Sequence, residues 1–266
     1  MKIVLVFDGD DTLWMNEWQY SKARADFYQF LYSEFRDMMP NMNSVNQRYN
    51  ELEQELFNHW GVKRGKISML MLKVYNGLLD YFEKKFGKEC VPDSSKRNEH
   101  ERIIFEIGDQ PFDFRQIKWV ESAENVLEDL RSRADYRLCL LTSYDEKVWV
   151  DRSVYLGVSR YFENVLAIPR RKTGMDFVEA AGRGAGGDAI FYAVGNGHSD
   201  ILPALELKKW HGIYIPHGST SPMFYEHEGN NSYAPPPIDH PNVVTLHSIA
   251  ELIDFDFENF KHKKSA

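Results

Sequence analysis

The apolar run Ile3-Val4-Leu5-Val6 leads directly into Phe7-Asp8-Gly9-Asp10-Asp11-Thr12-Leu13-Trp14. A β-branched run of this length, apolar without alternation, reads as a strand buried on both faces, the kind found inside a parallel sheet. The run ends in two carboxylates two residues apart, Asp8 and Asp10, followed by Thr12. In open α/β sheets ligands are held just beyond the carboxyl ends of the strands. This strand therefore delivers a pair of acids to the place where chemistry is done.

After Trp14 the pattern changes. Between about Asn16 and Gln110 the apolar residues fall at helical spacing: Val45, Tyr49, Leu52 and Leu56 form one stripe, and Ile67, Leu70, Val74, Leu78, Phe82 and Phe86 another. This predicts four or five helices, separated near Pro40-Asn41, Gly61 to Gly65, and Gly87 to Asn98, with the stripes packing a helical core. From about Glu121 strands and helices alternate. Strands are predicted at Tyr136 to Leu141, Val165 to Ile168, Ala189 to Val194, Gly212 to Ile215 and Val243 to Leu246. Helices are predicted through Val126 and Leu130, Val148 and Val154, Met175 to Ala181, Ile201 to Leu207, and Ile249 to Ile253. The fold expectation is α/β: a Rossmann-like parallel sheet core, residues 1–15 and 116–266, with an all-helical cap, residues 16–115, inserted after the first strand. A helical unit on two linkers can open and close over a site.

Composition narrows the class of partner. With 266 residues, 43% hydrophobic and 27% charged, the chain has enough apolar residues for a real core. Its net charge of −8 argues against nucleic acid or an anionic membrane as main partner. The apolar run before the acids is too short for a signal peptide or a membrane span. Cys139 lies in an apolar run and Cys90 in a polar stretch, with no zinc spacing, so free thiols and a cytoplasmic location are expected. Asn230-Asn231-Ser232 reads as a chance sequon. Gly182 to Gly187 follows a predicted helix and precedes a strand, the reverse of the dinucleotide-binding order. Lys261 to Ala266 reads as a frayed tail and His217 to Asn242 as a long loop.

Four segments carry polar residues at or after predicted strands: Asp8-Gly9-Asp10-Asp11-Thr12, then Leu141-Thr142-Ser143, Arg170-Arg171-Lys172-Thr173, and Gly195-Asn196-Gly197-His198-Ser199-Asp200. The set resembles the haloacid dehalogenase superfamily, whose members mostly hydrolyse phosphate esters. That family runs Asp-x-Asp-x-Thr after the first strand, Thr or Ser after the second, a Lys, then an acidic pair near a Gly. The resemblance covers somewhat over half the chain. It implies hydrolysis of a phosphate monoester on a small metabolite or nucleotide. In that scheme Asp8 attacks phosphorus and becomes an aspartyl-phosphate, and Asp10 protonates the departing alkoxide and then activates water. Thr142 and Ser143 bind phosphate, Lys172 balances the charge, and Mg²⁺ takes oxygen from Asp8, the Asp10 carbonyl, Asn196 and Asp200. The chain departs from the pattern at Asn196, where many members have Asp. This keeps an oxygen donor, removes a charge, and implies weaker Mg²⁺ binding with Asp200 as the main carboxylate.

Duller readings stand beside these. Asp8 and Asp10 could cap a turn. A calcium loop would need Gly and Glu where Leu13 and Gln19 stand, so it is rejected. Arg171 could fill the basic role in place of Lys172, and His198 reads as a loop residue. Asp11 reads as a strand-to-helix turn residue whose N–H could meet phosphate. Trp14, Asn16 and Glu17 adjoin the site and are candidates for substrate contact. A phosphomutase and a catalytically weak binding protein remain alternatives, and oligomeric state is not legible.

Overall fold

The computed structural model describes residues 2–60, 64–182, 188–216 and 237–262. Its first strand, β1 (Ile3–Phe7), is buried along its whole length. Like Ile3, Val4, Leu5, Val6 and Phe7 themselves, its neighbours are apolar, so both faces of the strand need cover and the sheet forms around it. Met1, the segments 61–63 and 183–187, the sequon, and residues 217–236 and 263–266 lie outside the described residues.

By contacts the chain divides into two units, Met1–Trp18 with Phe114–Ala266, and Gln19–Asp113. The first unit holds β2 (Trp14–Met15), β3 (Lys118–Trp119), α5 (Ala123–Ser132), β4 (Tyr136–Thr142), α6 (Glu146–Leu156), β5 (Asn164–Ala167), α7 (Gly174–Ala181), β6 (Ile190–Gly195), α8 (His198–Leu205), β7 (Trp210–Tyr214), β8 (Val243–Thr245), β9 (Phe255–Asp256) and β10 (Lys261–His262). Six of these strands form one parallel sheet in the order β5-β4-β1-β6-β7-β8. The chain leaves β1 toward β4 and β5, then returns to the other side of β1 with β6. Strand order therefore reverses beside β1, the arrangement that opens a crevice at the strand ends. The predicted α/β parallel sheet is what forms.

The apolar face made by Val4, Val6, Cys139, Leu141 and Ala193 is covered by Phe177, Ala180 and Ala181 of α7 and by Ile201 and Ala204 of α8. Each fully buried large side chain contributes roughly 1.5–3 kcal/mol, and Cys139 belongs to this core as expected. Several boundaries differ from the sequence reading. The last predicted helix is a 3-10 turn, Ile249–Asp254. Lys261 and His262 are not a frayed tail but pair antiparallel with β9. The pair β2–β3 has no counterpart in the sequence reading, because two residues are too short to show a period.

The second unit, among its described residues, carries only helical elements. These are α1 (Glu17–Phe35), which begins at the end of the first unit, α2 (Met42–Trp60), α3 (Lys66–Phe86) and α4 (Ser94–Asp109). Both predicted stripes are buried apart from Phe86, which is 36% exposed. α4 starts earlier than expected because the Asp93 carboxylate accepts the Lys96 N–H at 2.9 Å.

His100 on α4 is buried among Phe30, Phe35 and Tyr75. Its Nδ1 lies 3.0 Å from the Tyr75 hydroxyl and its Nε2 3.2 Å from a Glu34 carboxylate oxygen. Burial outweighs the pull of Glu34 and holds the imidazole below its usual 6.5. Below about 6.5 the unfolded chain thus binds a proton that the folded protein does not, and this part of the stability is lost as pH falls toward the lowered folded value. His100→Gln should flatten that loss: melting curves of wild type and variant should converge between about pH 7.5 and about pH 5.5. Parallel curves would show that His100 is not the titrating group.

Candidate active site

The first acidic segment is fixed by its backbone. Asp8 continues the sheet, its N–H donating to the Val194 carbonyl at 2.8 Å. The Gly9 carbonyl then takes the N–H groups of Thr12, Leu13 and Trp14. A side chain on Gly9 would meet the Trp14 ring at 2.2 Å, so glycine makes room for that ring against the turn. Asp11 comes next in the left-handed region at φ 58°, a conformation that Asp and Asn tolerate better than most residues. Its carboxylate accepts the main-chain N–H of Asn16 at 2.8 Å and of Glu17 at 3.1 Å, capping the start of α1. The Asp11 N–H donates to the Trp14 carbonyl at 2.7 Å, so it is engaged in the turn and does not face a phosphate as the sequence allowed.

Three segments distant in sequence meet at Asp8. The Lys172 ammonium, buried, donates to Asp8 Oδ1 and to Asp200 Oδ1, the latter at 2.7 Å. Asp8 Oδ2 is turned the other way, 3.2 Å from the Thr12 hydroxyl, which also lies 3.1 Å from Asn196 Oδ1. The start of α7 aims Lys172. Thr173 caps that helix, donating its N–H and hydroxyl to Asp176 Oδ2 at 2.7 Å each, and Arg170 grips Asp176 with two further bonds. Arg171 is exposed, so Lys172 and not Arg171 is the cation at Asp8. Asp200 stands in the first turn of α8, its Oδ2 accepting the Gly197 N–H at 2.9 Å. A Cβ on Gly195 would come within 2.4 Å of the Asp200 Cβ, so glycine lets the helix start this close to the strand.

The remaining candidates take more varied positions. Thr142 is buried at the end of β4, two residues beyond the Phe7–Leu140 pair and therefore level with Gly9. The Ser143 hydroxyl donates to the Arg170 carbonyl at 3.2 Å. The His198 ring packs edge-on against Tyr214. Asp10 is bonded by Trp14 Nε1 at 2.7 Å, by Asn16 Nδ2 at 3.1 Å and by the Tyr144 hydroxyl. Behind these stands Arg152 of α6, fully buried and 3.6 Å from Asp10 Oδ1. Tyr144 and Arg152 are absent from the sequence-derived candidates. A signal is present in α6: Val148, Arg152 and Leu156 share one buried stripe, and a cation in the middle of an apolar stripe needs a partner.

Four carboxylates, Asp8, Asp10, Asp11 and Asp200, thus gather near two cations, Lys172 and Arg152. Burial, and next Asp200, push Asp8 up to about 7 against the pull of Lys172. Burial works against the charge on Lys172, yet Asp200 and Asp8 outweigh it and hold the ammonium above the usual lysine range. Asp10 is raised by burial, which Arg152, Trp14 and Asn16 oppose. Among the described residues no three His, Cys, Asp or Glu side chains form a ready metal cluster. The oxygens of Asp8 and Asn196 nonetheless suit a hard cation. Thr12 has one hydroxyl proton for these two acceptors, so one of the two oxygens faces it without a proton between them.

Asp11 supplies a test of this electrostatic picture. Burial, and then Asp10, raise it from 3.8 to about 8. The folded protein keeps a proton there that the unfolded chain has released, so stability falls as pH rises through that window. Asp11→Asn keeps the capping oxygen and cannot ionise; its melting temperature should gain on wild type steadily from about pH 5 to about pH 8. A constant difference would contradict the raised value.

No protein-family model matches the chain, and no curated protein matches it. Solved structures do. A haloacid dehalogenase-like family hydrolase from Xanthomonas campestris is similar at 18% identity with a TM-score of 0.64, over 95% of this chain and 89% of that one. A protein from Thermotoga maritima described as a beta-phosphoglucomutase gives 15% identity and 0.54, over 95% and 97%. A 2-haloacid dehalogenase from Pseudomonas syringae pv. Tomato gives 21% and 0.51, over 95% and 96%. At these identities the likeness is one of architecture: the chain is built on the haloacid dehalogenase-like hydrolase fold.

Proposed function

We propose that the protein hydrolyses a phosphate monoester of a small metabolite or nucleotide, passing the phosphoryl group to Asp8 and then to water. The observation that carries this reading is the placement of Asp8. It stands at the tip of the central strand with Oδ1 on Lys172 and Oδ2 toward Thr12 and Asn196, and a second carboxylate, Asp10, stands two residues on. Phosphoryl transfer asks for an in-line nucleophile, neutralisation of the equatorial oxygens and a proton for the leaving oxygen. Asp8 supplies the first. Lys172 balances charge beside it, and Thr142, level with Gly9, is the strand-end hydroxyl for a phosphate oxygen. Asp10 gives its proton to the departing alkoxide, then takes one from the water that attacks the aspartyl-phosphate.

Asp10 also favours phosphate chemistry over the dehalogenation named for one structural relative. A carboxylate that displaces halide expels an ion that takes no proton, so a second acid held by several donors has no task in that first step. The residues fit Mg²⁺, which Asp8, Asn196 and the Asp10 carbonyl would hold, with Asp200 nearby. When bound it would neutralise phosphate charge. Asn196 in place of a carboxylate leaves that site less negative.

The test is hydrolysis of p-nitrophenyl phosphate with and without Mg²⁺, in wild type and Asp8→Asn. Loss of covalent catalysis should lower turnover by at least ~10³-fold in the variant. Release of inorganic phosphate without a second acceptor separates a phosphatase from a phosphomutase. Equal activity of the two proteins, or halide release from a 2-haloacid with no phosphatase activity, would overturn the proposal.

A further inference from the structure

Arg152 reaches Asp10 by two parallel routes. Its Nη1 donates to the Tyr144 hydroxyl, which donates to Asp10 Oδ1. Its Nη2 donates to Asn16 Oδ1 at 3.1 Å, and the same amide donates through Nδ2 to Asp10 Oδ2 at 3.1 Å. The four side chains close a ring, and its polarity is not free. A guanidinium has donors and no acceptor. Tyr144 must therefore accept from Arg152, which leaves its single proton for Asp10. Asn16 must turn its oxygen to Arg152, which leaves its NH₂ for Asp10. Trp14 Nε1, a donor by nature, adds a third bond at 2.7 Å. Asp10 thus meets donors alone, and both its oxygens have a fixed direction.

Resting on the phosphatase reading, we infer that Arg152 is a positioning residue that holds Asp10 as the proton acceptor for the second half-reaction. In that step a water oxygen bonds to phosphorus and its proton passes to the Asp10 carboxylate. The bond from phosphorus to Asp8 breaks, its electron pair returns to Asp8, and inorganic phosphate leaves. Among the described residues, Asp10 Oδ2 takes only the Asn16 bond, so its second lone pair can carry the proton given to the alkoxide and then the one from water while the carboxyl stays in place. Arg152 touches neither water nor phosphate in this scheme; it acts through Tyr144 and Asn16 and through its own charge, 3.6 Å from Asp10 Oδ1. The ring gives a reason for a fully buried cation in the middle of the apolar stripe of α6.

The two half-reactions can be read separately with p-nitrophenyl phosphate, since p-nitrophenolate leaves without needing a proton. Rapid mixing of Arg152→Met with this substrate and Mg²⁺ should give a burst of about one equivalent of p-nitrophenol. Its rate constant should lie within ~3-fold of the first turnover of wild type, and the steady state after the burst should be at least ~10-fold slower than wild type. Tyr144→Phe, which cuts one route and keeps the charge, should show the same pattern with a smaller slowing, and it stands in for Arg152→Met if circular dichroism shows the latter unfolded. A purely structural role would lower burst and steady state together; that result, or an unchanged steady state, overturns the inference. Wild type without Asp8-dependent turnover would instead overturn the phosphatase reading, and the inference with it.

Discussion

The site depends on one buried ammonium. Lys172 lies between Asp8 and Asp200, and without it two carboxylates would face each other with little solvent. Desolvating a charge is costly, and removing one partner from a buried pair leaves the other uncompensated, typically at a cost of roughly 3–5 kcal/mol. The fold meets this constraint by bringing three loops to one point. The turn after β1 offers Asp8, the cap of α7 aims Lys172, and the first turn of α8 returns Asp200. Reversal of strand order beside β1 is what makes these loops neighbours.

Around that pair the charge is divided. Lys172 serves Asp8 and Asp200, while Arg152 serves Asp10 through Tyr144 and Asn16. Two carboxylates two residues apart thereby acquire different surroundings: one against an ammonium and a hydroxyl, the other inside a ring of donors. Environments that differ in this way are how a pair of identical groups comes to hold different roles. Asp11, third in the same run, has its oxygens on the main-chain N–H groups of Asn16 and Glu17.

Much of this is legible in the residues alone. The β-branched run marks the central strand, and the order Asp8, Thr142, Lys172, Asp200 carries the resemblance. Arg170, Arg171 and Lys172 cannot be ranked from sequence, since three adjacent basic residues look alike until Asp176 engages the first and the cap at Thr173 turns the third inward. Ser143, adjacent to Thr142, reads as a phosphate contact, and the bond its hydroxyl gives to the Arg170 carbonyl is not foreseeable from sequence. Tyr144 and Arg152 escape a motif-based reading because neither belongs to a motif. Arg152 sits between Val148 and Leu156 in one stripe of α6, a pattern a helical reading could pick out, whereas Tyr144 precedes the helix and joins it only in the tertiary structure.

The most direct measurement is to catch the covalent state. Wild type mixed with substrate and Mg²⁺, quenched in acid within the first turnovers and digested, should yield one phosphorylated peptide, and fragmentation should place the phosphoryl group on Asp8. A phosphoryl group on any other residue, or turnover with no phosphorylated peptide at any quench time, would contradict the account.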